Sequence, residues 1–200
     1  LSYPGAIVVI DVKGELANVT ARYRRTLGEV LILDPFRQVS DGSGQFNPLA
    51  HISVGSPEVV DDAYTIAELF SNLSRDSARK DPFWDEAGQD IIAALIVQAL
   101  HEHEPSDRSL AGVYESFSMP DQLQFFRRML DSGVHPFVEQ KIGAYLRLAE
   151  TTRTGIEAVA GQQLRMLAGE GVRRCVSGDT IPPRHLADGR PVTIYLVIPP

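Results

Sequence analysis

The sequence predicts a mainly α protein with α/β flanks, a helical bundle inserted between parallel strands. Three observations predict it. The chain opens on a short apolar run, Ile7-Val-Val-Ile10, which leads straight into Asp11-Val-Lys-Gly-Glu15. It closes on a second run, Val192-Thr-Ile-Tyr-Leu-Val197, within Pro191-…-Pro200. Nearly everything between them carries helical spacing. Short strands that are apolar along their whole length belong inside a parallel sheet covered on both faces. Two or three strands do not make such a sheet alone, so the 200 residues read as a window on a larger α/β protein.

The elements follow in order. Residues 7–10 form the first strand. Residues 15–27 read as a helix, with Leu16, Val19, Tyr23 and Leu27 as its inward stripe and Gly28 as its stop signal. Residues 30–33 make a second strand that ends at Asp34-Pro35. Strand, helix, strand in so few residues is a βαβ unit with a right-handed crossover. Residues 38–56 are rich in Gly, Ser, Asp and Pro and read as a loop that contains Gln45-Phe-Asn-Pro-Leu49. Gly42-Ser-Gly44 has no Lys behind it and reads as a flexible part of that loop.

Helices come next. Ser56 caps the first, with Pro57 at its first position and Val59, Ala63, Ile66, Ala67, Phe70 and Leu73 inward. Residues 85–103 form the longest helix, apolar almost all round, which marks it as the central core helix of the insert. Ser109 caps a helix that turns Leu110, Val113, Tyr114 and Phe117 inward. Another covers 121–130 and stops at Gly133. Val138, Ile142, Tyr145, Leu146 and Ala149 form a further stripe. Thr152 caps the last long helix, with Ile156, Ala160, Leu164 and Leu167 inward. A short helix near 172–176 and the break at Pro182-Pro183 precede the final strand. No internal repeat is present.

The bulk numbers are those of an ordinary globular chain: 44% hydrophobic and 22% charged residues. The longest apolar stretch, 91–100, is half the ~20 residues a membrane span needs, and no signal peptide is visible. One cysteine, Cys175, excludes an intrachain disulfide and suits a reducing compartment. A net charge of -7 argues against a surface that coats nucleic acid all over.

The turn Asp11-Val-Lys-Gly-Glu15 is the leading candidate site. It lies where a parallel strand ends and a helix begins, the edge at which open α/β sheets bind ligands. Gly14 permits a tight turn, and the helix start offers free N–H groups. Asp11 would orient a metal-bound water or a nucleotide group, and Lys13 would meet a phosphate. A structural reading stands beside this one, in which Asp11 or Glu15 caps the helix and pairs with Lys13. No Gly-x-x-x-x-Gly-Lys-Ser/Thr loop and no Gly-x-Ser-x-Gly elbow occur. His101-Glu-His-Glu104 has the wrong spacing for two ligands on one helical face, so it reads as a solvated helix end and no metal site is assigned. Cys175 reads as inert packing, with Arg173 and Arg174 its only nearby activators. Trp84 reads as an aromatic anchor at the entry to the central helix. The basic clusters Arg22/Arg24/Arg25, Arg127/Arg128 and Arg173/Arg174 read first as solvated faces, the last two also as substrate contacts.

Taken together, the segments resemble the conjugative coupling proteins of type IV secretion systems, the TraG-like family of P-loop ATPases. Tyr3-Pro-Gly-Ala-Ile-Val-Val-Ile-Asp-Val-Lys-Gly-Glu-Leu16 resembles the family's strand ending in Asp-Pro-Lys-Gly-Glu, with Val12 in place of the usual Pro. Val30-Leu-Ile-Leu-Asp-Pro-Phe36 resembles its next strand, Phe46-Asn-Pro-Leu49 its Tyr-Asn-Pro-Leu segment, and Asp81-Pro-Phe-Trp-Asp-Glu86 the start of its central insert helix. Val192-Thr-Ile-Tyr-Leu-Val-Ile-Pro-Pro200 resembles the strand that re-enters the ATPase core. The family's phosphate-binding loop, its Asp-Glu pair and its membrane-spanning helices have no counterpart in these residues.

The resemblance implies residues 1–48 as a partial nucleotide-binding core, 49–181 as an all-α insert domain and 182–200 as a returning core strand. It implies a parent that is a homo-hexameric ATPase on the cytoplasmic face of the bacterial inner membrane. That parent would use ATP and Mg2+, recruit relaxase-bound single-stranded DNA or effector proteins with their adaptors, and pass them to other type IV secretion components. The all-α domain would receive the substrate. These residues alone would hold no catalytic group and turn over no ATP. A self-standing helical adaptor that binds protein or nucleic acid without nucleotide is the alternative. A small hydrolase built on Asp11 and a histidine is weakest, because no nucleophile-base pair is identifiable.

Overall fold

Three strands, β1 (Ile7–Asp11), β2 (Glu29–Leu33) and β3 (Val192–Val197), form a parallel sheet in the order β1-β3-β2. The computed structural model describes residues 3–39, 44–74, 81–104, 107–180 and 184–198. Gly42-Ser43, Pro182-Pro183 and Pro199-Pro200 lie outside the described residues. The chain groups into two units, Leu1–His51 with Gly169–Pro200, and Ile52–Ala168. The first holds the sheet, α1 (Glu15–Arg24) and a 3-10 turn at Pro48–His51.

β3 is the middle strand and is buried on both faces, which is why it reads Val-Thr-Ile-Tyr-Leu-Val without alternation. β1 departs from the expectation of cover on both sides. Val8 and Ile10 are 56% and 71% exposed, while Val9 packs beneath α1. On the α1 face Ala17, Ala21, Ile32, Val39, Tyr195 and Val197 form one cluster; Leu31, Val192 and Ile194 form the other on the opposite face.

α1 corrects a second expectation. Its larger apolar residues Leu16, Val19 and Tyr23 are exposed, and Ala17, Ala21 and Arg24 face the sheet. The reason is the size of the partner. Tyr195 fills the space under the helix, so only alanines fit above it, and Thr20 Oγ1 meets the Tyr195 hydroxyl at 2.6 Å. Arg24, expected on a solvated basic face, is 3% exposed. It donates from Nε to Thr193 Oγ1 (2.7 Å), and from Nη1 and Nη2 to the carbonyls of Tyr3 and Gly5 (2.6 and 3.3 Å).

The second unit is helical: α2 (Val59–Ser74), α3 (Pro82–Glu102), α4 (Leu110–Phe117), α5 (Gln122–Ser132), α6 (Pro136–Leu146), α7 (Glu150–Gln163) and a 3-10 segment Leu164–Ala168. α3 is its axis, with 91–100 buried without interruption and α2, α4, α6 and α7 packed around it. Its start is earlier than the expected Asp85. Asp81 Oδ1 accepts from Phe83 N at 3.0 Å, and Pro82 takes the first helical position, where no N–H is needed. Trp84 packs on Gly155 of α7. A Cβ at Gly155 would lie 2.6 Å from the Trp84 ring, so only glycine admits the indole.

Ser109 caps α4 and Gly133 ends α5 as expected, while Asp121, expected as the first residue of α5, is its cap. Thr152 does not cap α7, which begins at Glu150 behind Ala149 with no side-chain cap. Leu73, expected inward, is 72% exposed near the end of α2. Past Ala168 the chain returns to the sheet unit, where α8 (Glu170–Cys175) and a short unanticipated helix α9 (Arg184–Ala187) precede β3.

Candidate functional site

The parallel register brings the C-terminal ends of the strands to one edge. Asp11 pairs with Val197, and Leu33 with Leu196. Side chains alternate along a strand, so Asp11 shares the α1 side with Val9. Its carboxylate is 3% exposed, and Oδ2 accepts from the N–H of Ala17 at 2.8 Å in the first turn of α1. A carboxylate there is favoured by both the free N–H groups and the helix dipole. This is the capping geometry of the structural reading, made by Asp11 from across the turn. Gly14, the residue preceding the helix, contributes no side-chain cap.

Gly14 has φ 73, and a Cβ there would lie 2.6 Å from Val39. Glycine alone therefore brings the strand into the helix this tightly. Lys13 and Glu15 are exposed beside it. A second buried carboxylate, Asp34, follows β2. Oδ1 accepts from Phe36 N at 3.2 Å and Oδ2 from Val39 N at 2.6 Å, which fixes the turn carrying Val39 against Gly14.

Gln45-Phe-Asn-Pro-Leu49 is clamped to the segment that follows α8. Gln45 N and O bond Thr180 Oγ1 and N, both at 2.9 Å, and Phe46 N donates to the Cys175 carbonyl at 2.7 Å. Asp179 accepts from Asn47 N at 2.8 Å and faces His51 Nε2 at 2.9 Å. Asn47 Oδ1 in turn accepts from Leu49 N at 3.1 Å. Sequence reasoning named this segment without these partners. Asp34 carried a signal in its Asp-Pro pair; Asp179 and His51 carried none.

The expected substrate arginines fall in both units. Arg173 and Arg174 are half-buried in α8, where Arg174 Nη2 donates to the Asp34 carbonyl at 3.4 Å and its own carbonyl accepts from Gln45 Nε2 at 2.8 Å. Arg174 thus has local structural work. Burial raises the neighbouring Cys175 thiol above its usual range, against the lowering pull of Arg174. Such a thiol is packing, not a nucleophile. Arg127 and Arg128 are exposed on α5.

Two further polar groups mark the helical unit. Asp90 of α3 takes the Tyr64 hydroxyl and, at 2.8 Å, the Lys141 ammonium. Burial lowers the Lys141 pKa, but its bonds to Asp90 and Tyr64 outweigh that, and the net shift is upward. The His101 and His135 rings stand 5.0 Å apart; His101 Nδ1 lies 2.9 Å from the Val97 carbonyl, and His135 Nδ1 accepts from Phe137 N at 3.2 Å. Among the described residues no three His, Cys, Asp or Glu side chains converge on a point that would hold a metal.

Comparison with known proteins places these features. The family model described as Type IV secretory system Conjugative DNA transfer matches residues 1–200. The conjugal transfer protein TraG of Agrobacterium fabrum (strain C58) is 26% identical over 195 residues, 94% of this chain and 29% of its own length. The type IV secretion system-coupling protein VirD4 of Bartonella quintana (strain Toulouse) is 20% identical over 205 residues, 100% of this chain and 32% of its own length. TraG of Escherichia coli is 29% identical over 104 residues, 51% of this chain. The chain therefore spans about 30% of the length of the first two relatives. It belongs to the type IV secretory system conjugative DNA transfer family, among the TraG-like coupling proteins.

Proposed function

We propose that this chain serves within a coupling ATPase that recruits relaxase-bound DNA or protein substrates and delivers them to a type IV secretion channel. The observation that carries this reading is one family match running through both units, 1–200. The sheet unit, with its parallel strands ending at Asp11 and Asp34, supports assignment to a P-loop ATPase core. The helical unit supports assignment as receiver of cargo or adaptor. Arg127 and Arg128 stand exposed on α5, and the net charge of -7 suits basic protein partners better than bare DNA. On the resemblance we place the parent as a homo-hexamer on the inner membrane. Among the described residues no helix is long and apolar enough to cross a membrane.

Nucleotide is not assigned to these residues. The Ala17 N–H in the first turn of α1, the natural place for a phosphate, is taken by Asp11, and Lys13 is a single exposed cation. A phosphate cradle needs several convergent N–H donors, so on the resemblance ATP and Mg2+ belong to the parent and not to these residues alone.

The receiver reading is tested with purified components. The immobilised 200-residue chain should retain the relaxase encoded on the same genetic element, and the Arg127→Glu/Arg128→Glu double variant should retain less. A folded chain that retains none overturns it.

A further inference from the structure

Two helices carry apolar stripes that no described residue covers. On α1 the stripe is Leu16, Val19 and Tyr23, which share one helical face and are 49%, 79% and 46% exposed. On α2 it is Leu69 and Leu73, one turn apart and 59% and 72% exposed, with Met166 lining the same cleft as Leu73. A helix of a folded unit turns such a stripe toward a neighbour, and apolar side chains left together on a surface mark an interaction site.

The charges around the two stripes run in opposite order. On α1 Glu15 is exposed at the start, and Arg22 is exposed beside Tyr23 toward the end. On α2 Asp61 and Asp62 are exposed in the first turn, and Asp62 falls on the face of Leu69. Near the other end the exposed Arg165 lines the cleft with Leu73. None of Glu15, Arg22, Asp62 and Arg165 makes an ion pair among the described residues. Laid antiparallel, the α1 stripe sets Val19 on Leu69 and Leu16 on Leu73, and brings Arg22 to Asp62 and Glu15 to Arg165. Laid parallel, it would bring Arg22 to Arg165 and Glu15 to Asp62. One orientation pairs both charges and the other opposes both.

We propose that a second copy of this chain covers each stripe, the α1 face of one copy lying antiparallel on the α2 face of the next. The contact is heterologous, so two paired copies still present one free face of each kind. Stripes this short bury less than the roughly 1,200 Å2 of a stable interface. Free chains therefore pair weakly, and covalent capture is the means to read the contact. A nucleic acid matches neither face, since α2 is acidic and both stripes are apolar. An anionic lipid surface calls for a cluster of cations, whereas the α1 stripe has Glu15 at one end. The inference goes beyond the receiver reading and does not rest on it.

The test uses cysteine pairs in chains that all carry Cys175→Ser, which removes the native thiol. Val19→Cys and a tagged Leu69→Cys chain are mixed and oxidised with diamide. The altered surface positions are exposed, so these chains should fold, and Trp84 emission checks that they do. The mixed disulfide should exceed either homodimer. Arg22→Glu in the first chain should lower its yield about fivefold, as should Asp62→Arg in the second, and the two reversals together should recover the yield. Leu16→Cys should join Leu73→Cys, and Tyr23→Cys should not.

Mixed disulfide no greater than the homodimers, a yield indifferent to charge reversal, or Leu73→Cys joining Tyr23→Cys in place of Leu16→Cys would each overturn the proposal. So would a chain with both Val19→Cys and Leu69→Cys that only closes on itself and never links to another. A bimane label on Val19→Cys separates the remaining occupant. Its emission should shift to the blue with excess native chain. A shift with phosphatidylglycerol vesicles and none with the chain would give the α1 face to lipid and overturn the proposal. Relaxase is absent throughout, so either result leaves the receiver reading standing or falling on its own test.

Discussion

Among the described residues, the buried charged side chains Asp11, Arg24 and Asp34 all belong to the sheet unit, whereas the buried polar side chains of the helical unit, Ser71, Gln98, Ser109 and Gln163, are neutral. The difference follows from backbone accounting. A helix satisfies its own interior N–H and C=O groups and needs help only at its ends, which Asp81, Ser109 and Asp121 supply. A small parallel sheet leaves donors and acceptors at every strand end, and buried ones must find partners. Asp11 and Asp34 accept from the turns that leave β1 and β2, and Arg24 donates to carbonyls entering β1. Asp11, Asp34 and Arg24 therefore hold the sheet unit together whatever else they do.

Replacing Arg24 tests this most severely. Arg24→Met keeps the length and removes the fork, which strands two carbonyls and the Thr193 hydroxyl. We expect a loss of about 3 kcal/mol, read by denaturant unfolding and by faster hydrogen exchange in β3. Arg22→Ala, on the exposed side of α1, should stay within about 0.5 kcal/mol. Equal effects from both would mean that the buried arginine adds nothing special to the sheet.

The matching test of the helical unit is steric. Gly155→Ala gains helix propensity but drives a methyl into the Trp84 ring. We expect a net loss of about 2 kcal/mol and a shift in tryptophan emission, which Trp84 alone supplies. A stabilised variant with unchanged emission would show that the indole is free to move aside.

Asp11 separates structure from function inside the motif. Asp11→Ala removes the acceptor for Ala17 N and should cost about 1 kcal/mol, whereas Asp11→Asn keeps an oxygen and should cost less. If Asp11→Asn in the native gene keeps stability but abolishes conjugative transfer, the carboxylate has a role beyond the cap. If transfer survives, the cap is its whole role.

The same contrast explains what was legible in the sequence. The helical unit was legible as periodicity. The central helix, the Ser109 cap and the inward Ile156, Ala160, Leu164 and Leu167 were all read locally, because each face is set by its own helix. Leu73 failed near a helix end, where periodicity no longer implies a neighbour. In the sheet unit, strands and turns were legible but faces were not. Leu16, Val19 and Tyr23 look like the inward stripe of α1 only until Tyr195, some 170 residues on, takes the space beneath. Arg24 and Asp179 find partners far away in sequence, and no local pattern announces them. Asp11 was visible as a site, and its two roles were both open until Ala17 N fixed one of them.

The smallest expected effect probes the histidine cap of the helical unit. His135 Nδ1 can accept from Phe137 N only while that nitrogen carries no proton. Burial, and then the charge of His101, hold the His135 pKa below the usual 6.5. The unfolded chain therefore takes up the proton first as pH falls, so this contribution is fully present above 6.5 and is lost on acidification below it. A cap is worth about 1 kcal/mol, which bounds the effect. His135→Asn keeps an acceptor at the cap but does not titrate. Thermal melts followed by Trp84 emission at pH 7 and pH 5 should show the native chain losing more than the variant, since the carboxylates common to both cancel in the difference. Parallel losses would mean that α6 is held by its packing on α3 and α5 and not by the imidazole.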